Sequence, residues 1–382
     1  MNINIYGSTG IIGTKTLKII SLYFPKIKIN LLCANNNISK LIKQSYVYSP
    51  KYVYLNNSKK LHILKKKINP ITKILDFNEL TEYLRETKSN YSILAISGYQ
   101  SLNYFDLILK NTSSLGLVNK EAIVSAGHLF KKYSNSLRKK IFPLDSEHFS
   151  IFHYLKNNNN LKIKKLILTA SGGPFLGKKY SSLKNVSFKQ AIKHPKWKMG
   201  YKNSIDSATL SNKCLELIEA NYLFDIPFNK LDILIHPESK IHSIFEFNNY
   251  IYNMIAFHND MKIPIFHFLN QKNNYKLDNS KFSFKSHDQY NFQDVKLDEF
   301  PIYKLFKQIN KSNPANLIKF NVANEYAVNL FKKKSIKYTD IYKIVAKISS
   351  LNLNYKLKNI NDIIKYHKLL ERKIDENKLY IS

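Results

Sequence analysis

The sequence predicts an α/β chain with three parts: a mainly parallel sheet at the N-terminus, an α+β middle, and a helical C-terminal segment. Three observations carry this. A strand-like Ile3-Asn4-Ile5-Tyr6 runs into the turn Gly7-Ser8-Thr9-Gly10-Ile11-Ile12-Gly13 and then into a helical run, Thr14 to Tyr23. Further strand-like and helix-like stretches alternate to about residue 145. Beyond Pro301 there is no glycine, and apolar residues recur at helical spacing, as at Phe320, Ala323, Ala327, Leu330 and Phe331.

Strand, glycine turn and helix in that order form the setting in which a backbone approaches a dinucleotide pyrophosphate at a helix N-terminus. The spacing here is G-x-x-G-x-x-G. The chain holds only 10 glycines in 382 residues, all at or before Gly200, against roughly 7% in ordinary proteins. A composition this sparing of glycine keeps it where the backbone requires it. Residues 29–34, 93–96 and 115–118 are the next candidate strands. In the middle part, 165–169, 233–236 and 243–247 read as strands, mixed with a helix starting at Asp206 or Ser207. Residues 271–300, rich in Asn, Lys, Ser and Asp, read as a linker.

Composition bounds the class. With 44% apolar and 13% aromatic residues the chain can bury substantial cores. No apolar run approaches 18 residues and the first strand begins at residue 2 or 3, so neither a membrane span nor a leader segment is expected. Cys33 and Cys214 suggest neither a disulfide framework nor a zinc site, and a reducing cytoplasm is expected. The net charge of +33 is spread along the chain without a nucleic-acid-binding motif, which argues against a specific nucleic-acid partner. It favours anionic substrates.

Residues Asp206 to Glu219 (Asp-Ser-Ala-Thr-Leu-Ser-Asn-Lys-Cys-Leu-Glu-Leu-Ile-Glu) carry the most chemistry. A helix from Asp206 or Ser207 offers its N-terminus, its hydroxyls and Lys213 to an anion. Asn212 and Glu216 are four apart and Lys213 and Glu216 three apart, so all three project to one side. A carboxylate beside a phosphate needs a cation between them, which points to a phosphorylated substrate next to a divalent metal. Pro143-Leu-Asp-Ser-Glu-His148 places Asp145 and Glu147 at i and i+2, on one face of an extended segment, and hard carboxylate oxygens suit Mg²⁺ or Mn²⁺. Glu216 completes three ligands. The ordinary alternatives are a capped amphipathic helix and a solvated turn. Gly172-Gly173, after the strand at 165–169, expose N–H groups that with Ser171 suit another anion; the alternative is a tight turn before Pro174.

In this order and at these separations, the elements closely resemble the 1-deoxy-D-xylulose-5-phosphate reductoisomerase family. Gly116-Leu-Val-Asn-Lys-Glu121, His194-Pro-Lys-Trp-Lys-Met-Gly200, His236-Pro-Glu-Ser-Lys-Ile-His-Ser243 and Phe320-Asn-Val-Ala-Asn-Glu325 add to the resemblance, which runs from Met1 to about Ser350. It implies a Rossmann-like NADP-binding domain over 1–145, a catalytic α+β domain with a substrate flap over 146–270, a linker over 271–300 and a helical bundle over 301–382, in a homodimer. It implies Asp145, Glu147 and Glu216 as ligands of Mg²⁺ or Mn²⁺, with Co²⁺ a further candidate, and Lys120 near the nicotinamide and metal. NADPH would lie against Gly7, Ser8, Thr9, Gly10, Ile11, Ile12, Asn35, Asn36, Asn37, Asn119, Lys120, Glu121 and Gly200. The sugar phosphate would meet Lys120, Ser146, Glu147, Ser171, His194, Trp197, Met199, Ser207, Asn212, Lys213 and Glu216, with His194, Trp197 and Met199 on the flap. His242 reads as a structural histidine.

The implied reaction rearranges 1-deoxy-D-xylulose 5-phosphate to a branched aldehyde and reduces it to 2-C-methyl-D-erythritol 4-phosphate. Some positions depart from the family pattern. Ala34-Asn35-Asn36-Asn37 lacks the usual basic side chain for the extra phosphate of NADP, which leaves NADP against NAD open. Ile11 replaces a serine, and Cys214 a glycine. Asn249-Tyr250 and Phe257-His258-Asn259 replace glycine- and proline-containing turns. An ordinary nicotinamide-dependent dehydrogenase would account for residues 1–145 but not for three carboxylates. A degenerate nucleic-acid-binding relative would account for the charge but not for the intact motifs.

Overall fold

In the N-terminal part, strands such as Asn2–Tyr6, Lys28–Ala34 and Ser89–Leu94 bury runs of successive residues, so both of their faces are covered. The structure, a computed structural model, describes residues 1–158, 162–196, 199–278, 289–353 and 355–376. It groups into two units, each assembled from separated stretches: Met1–Asn119, Tyr133–Phe149 and Asp260–Ser283 in the first, Lys120–Lys132, Ser150–Asn259 and Phe284–Ser382 in the second.

In the first unit, β1 (Asn2–Tyr6), β2 (Lys28–Ala34), β3 (Tyr52–Leu55), β4 (Lys73–Leu75), β5 (Ser89–Leu94), β6 (Thr112–Leu117) and β7 (Ile141–Pro143) form one sheet in the order β4-β3-β2-β1-β5-β6-β7. Every neighbouring pair is parallel. Ile5 is in register with Leu32 on one side and Ile93 on the other, and all three are fully buried. The direction in which strands are added reverses at β1, between β2 and β5. In a doubly wound sheet that switch point, at the carboxyl ends of the strands, is where ligands bind. The helix Lys262–Leu269 returns to this unit. Its Phe266 packs 5.5 Å from Tyr23 and 5.2 Å from Phe24, and its Phe268 packs 5.4 Å from both Tyr91 and Phe142.

The second unit has a mixed sheet of β8 (Ile163–Ala170), β9 (Leu231–Ile235), β10 (Ile241–Phe247), β11 (Tyr252–Ala256) and β12 (Gln293–Asp294), in the order β11-β10-β8-β9-β12. Among the described residues only β8 and β9 pair in parallel in this sheet. Ile167, Ile241 and Ile244 make a core cluster flanked by Leu234, Ala256, Tyr290 and Phe292. The short edge strand β12 falls within the polar stretch 271–300, where turn chemistry hides it. Helix Pro314–Lys332 buries Leu317, Ile318, Phe320, Ala323, Ala327 and Val328, more than one stripe, as suits a helix enclosed by others. Gly127 lets helix Lys120–Phe130 meet helix Ser211–Phe224: a Cβ there would lie 2.3 Å from Tyr222. Among the described residues no helix is long and apolar enough to cross a membrane.

Two local expectations need correction. The segment from Asp206 is not the start of one helix; it holds the end of Tyr201–Ala208 and, after a break, the helix Ser211–Phe224. Leu210 takes a left-handed φ of 63° at the break and is buried. Asp206 cannot serve as a cap because its buried carboxylate is held by Asn324 Nδ2 at 2.8 Å and by Lys202. Asp145 and Glu147 also do not share an extended face: β7 ends at Pro143 and a helix, Ser146–Asn157, begins just after Asp145.

Candidate active site

The glycine turn closes β1 at the switch point. Gly7 has φ 93°, and a Cβ there would lie 2.4 Å from the Ala95 carbonyl oxygen that follows β5. Only glycine fits such a conformation without strain. Gly13 is as tightly placed, with a would-be Cβ 2.5 Å from Gly7 O. Gly10 is less confined: its Cβ position meets a single atom within 4 Å, Gly7 O at 3.3 Å, so this face of the turn is nearly bare. Gly10 immediately precedes helix Ile11–Tyr23, and Ile11 is 58% exposed. Ser8 is buried, exchanging hydrogen bonds with Gln44, Oγ to Oε1 at 2.9 Å and Nε2 back to its carbonyl at 2.9 Å. Gln44, on the helix Ile38–Tyr48 that follows the second strand, is a partner that turn spacing alone does not reveal. A bare face at a helix start fits a pyrophosphate.

After β2, Asn35 accepts from Asn56 Nδ2 at 3.0 Å and Asn36 from Asn57 Nδ2 at 2.7 Å, while Asn37 caps helix Ile38–Tyr48 by accepting from Lys40 N at 3.1 Å. Asn119 ties the loop after β5 in place, its Nδ2 donating to Gly98 O at 2.9 Å, Ser101 Oγ at 2.7 Å and Ile96 O.

Asp145 and Glu147 are brought together by the helix start. Asp145 Oδ1 accepts from the Glu147 N–H at 3.1 Å and lies 3.2 Å from Nδ1 of buried His148. Ser146 Oγ donates to Glu147 Oε2 at 2.6 Å. Both carboxylates are half-buried, and hard oxygens of this kind fit Mg²⁺ or Mn²⁺. The signal for the helix was present in the sequence: Asp before Ser-Glu-His is a helix-start pattern.

In the second unit, Glu216 is buried among cations. Lys120 Nζ reaches Oε1 at 2.5 Å, Lys213 Nζ reaches Oε2 at 2.5 Å, and Asn212 Nδ2 also donates to Oε1. The helical spacing of Asn212, Lys213 and Glu216 therefore acts as expected. Asn212 Oδ1 is buried with no hydrogen-bond partner, an acceptor suited to a substrate hydroxyl. Lys120 and Glu121 open the helix Lys120–Phe130.

Ser171, His194 and Ser207 also meet. His194 Nε2 lies 2.9 Å from Ser171 Oγ and 3.1 Å from Ser207 Oγ, and its Nδ1 accepts from Lys196 N at 3.1 Å. Gly172 and Gly173 have φ of 79° and 69°, and Gly173 N donates to Ser171 Oγ at 3.2 Å. Gly200 precedes helix Tyr201–Ala208 and is exposed, and Met199 is half-buried. Trp197 lies outside the described residues. His242 is buried, its Nε2 3.2 Å from Phe257 O and its ring stacked on Phe257 at 4.0 Å.

Sequence reasoning missed Lys202. Burial opposes its charge, yet Asp206, Glu121 and Glu325 hold its pKa above the ordinary lysine value, and Glu325 is itself raised by burial. The i, i+4 spacing of Lys202 and Asp206 was the available signal.

A model of 1-deoxy-D-xylulose 5-phosphate reductoisomerase matches residues 3–127, a C-terminal-domain model of that enzyme matches 141–224, and a DXP reductoisomerase C-terminal-domain model matches 258–373. The chain is 39% identical to the 1-deoxy-D-xylulose 5-phosphate reductoisomerase of Sulfurihydrogenibium sp., over 95% of this chain and 94% of that one. It is 36% identical to the Pelagibacter ubique enzyme of the same name, over 98% and 95%. Its structure resembles a crystal structure of DOX-P reductoisomerase in complex with NADPH, fosmidomycin and magnesium, with a TM-score of 0.88 and 31% identity over 99% of this chain and 98% of that one. The Zymomonas mobilis enzyme in complex with NADPH gives a TM-score of 0.84 and 29% identity, covering 97% of each chain. With 39% and 36% identity to two relatives of that name over nearly the whole length, the chain belongs to the 1-deoxy-D-xylulose 5-phosphate reductoisomerase family.

Proposed function

We propose that this chain converts 1-deoxy-D-xylulose 5-phosphate to 2-C-methyl-D-erythritol 4-phosphate with NADPH and a divalent metal, in non-mevalonate isoprenoid precursor synthesis. The observation that carries this reading is buried Glu216 set between Lys120 and Lys213, beside an Asn212 oxygen that lacks a donor. An ordinary dehydrogenase has no use for that arrangement.

Asp145, Glu147 and Glu216 are the metal ligands, and Mg²⁺ or Mn²⁺ held there supplies Lewis-acid polarisation of the substrate carbonyl. Lys120 and Lys213 offset the charge of Glu216 and, as donors, steady negative charge on substrate oxygens. Asn212 and Ser146 orient substrate hydroxyls. Ser171, Ser207 and His194, with the N–H groups at Gly172 and Gly173, hold the phosphate, and Met199 and Trp197 cover it. Gly7, Ser8, Thr9, Gly10, Ile11 and Ile12 seat the pyrophosphate, Asn35–Asn37 lie by the adenosine ribose, and Asn119, Lys120, Glu121 and Gly200 face the nicotinamide half. We place this work in a cytoplasmic homodimer organised as a cofactor domain (1–145), a catalytic domain (146–270), a linker (271–300) and a helical domain (301–382). The family membership and the absence of a membrane-crossing helix among the described residues support the first half of that placement.

The test is oxidation of NADPH by the purified chain with 1-deoxy-D-xylulose 5-phosphate, with and without Mg²⁺. Substrate-dependent oxidation that stops on chelation is expected. Equal oxidation in chelator would favour a metal-free dehydrogenase.

A further inference from the structure

The turn after β2, Asn35-Asn36-Asn37, carries no basic side chain of its own, yet a charge reaches it from elsewhere in the same unit. Asn56 N donates to Ala34 O at 2.9 Å and Asn57 N to Asn35 O at 3.0 Å. Together with the two side-chain pairs between these asparagines, these bonds lace the loop after β3 to the loop after β2. Asn57 then caps the single helical turn Ser58–Lys60, accepting from Lys59 N at 3.2 Å. That turn aims Lys60 back, and its Nζ donates to Asn36 O at 3.3 Å. The ammonium therefore rests on the middle residue of the turn after β2.

The surrounding charge points the same way. The chain has no Asp or Glu before Asp76. In dinucleotide folds an acidic residue near the end of the second strand accepts from the ribose 2′-hydroxyl of NAD, and a basic one accommodates the 2′-phosphate of NADP. Here there is no acid to do the first, and Lys60 is placed to do the second.

We propose that Lys60 binds the 2′-phosphate of NADP, supplying the charge that Asn35, Asn36 and Asn37 do not. The proposal rests on the reading of the Gly7–Gly13 turn as the NADPH site. A lysine point charge tolerates this change of origin, since it needs only reach and not a fixed fork geometry.

The test is calorimetric binding of NADPH and NADH to the full-length wild type, Lys60→Ala, and Lys60→Ala with Asn36→Lys, with thermal midpoints checking folding. The expected result is a loss of about tenfold in NADPH affinity for Lys60→Ala, NADH unchanged, and recovery in the double variant, the scale of one charge-assisted hydrogen bond. An equal change for both cofactors, or none, overturns the role of Lys60 while leaving the reductoisomerase reading intact. A wild type that binds neither cofactor overturns both.

Discussion

Lys120 Nζ lies 2.5 Å from Glu216 Oε1, and both residues are buried. A carboxylate withdrawn from water in this way is tolerable only with its charge answered, and here Lys213 answers it as well, at 2.5 Å from Oε2. The cluster is costly to build as a stabilising device and useful as a reactive one.

Glu216→Gln is predicted to lower turnover by about 100-fold or more, corresponding to several kcal/mol of lost transition-state stabilisation. Leaving two buried ammoniums without their carboxylate also lowers the thermal midpoint, whereas NADPH binding, measured by titration, is retained. Near-normal turnover in a folded variant would remove Glu216 from the metal site.

The two glycines of the turn should separate fold from binding. Gly7→Ala forces a Cβ to 2.4 Å from Ala95 O at φ 93° and is predicted to destabilise the protein by about 1–3 kcal/mol. Gly10→Ala meets only Gly7 O, at 3.3 Å, so thermal melting should fall less than in Gly7→Ala while NADPH binding weakens. Unaltered NADPH affinity in Gly10→Ala would show that this face does not receive the pyrophosphate.

His367 gives a pH prediction. Burial lowers its pKa from 6.5 to about 3, and its Nε2 lies 2.9 Å from Ser125 Oγ. The unfolded chain takes up the proton first, so stability falls as pH drops below 6.5 and continues to fall toward 3. The effect is on the order of a few kcal/mol at the acid end. Urea unfolding at several pH values should show this slope, and His367→Gln should flatten it; an unchanged slope would assign acid sensitivity to other groups.

The parts legible in the sequence are those fixed by local chemistry. Gly7, Gly10 and Gly13 stand out because the chain spends so few glycines, and Asn212, Lys213 and Glu216 are joined by the helical repeat itself. What tertiary packing decides was hidden. Leucine is a good helix former, so nothing local announces that Leu210 turns left-handed and splits the helix; its burial enforces the break. The return of Lys262–Leu269 to the first unit depends on Phe266 and Phe268 meeting partners far away in sequence. A strand period misplaces Asp145, which stands just before a helix start, because the strand before it ends only two residues earlier. Lys60 reaches position 36 through a loop that carries no motif.

A reductoisomerase rearranges a carbon skeleton as well as reducing it. The most direct measurement is carbon NMR of the product formed from ¹³C-labelled 1-deoxy-D-xylulose 5-phosphate with NADPH and Mg²⁺. The expected product has the branched skeleton of 2-C-methyl-D-erythritol 4-phosphate, absent when the metal is chelated; a linear reduced sugar phosphate, or untouched substrate in the complete mixture, would rule out the proposed reaction.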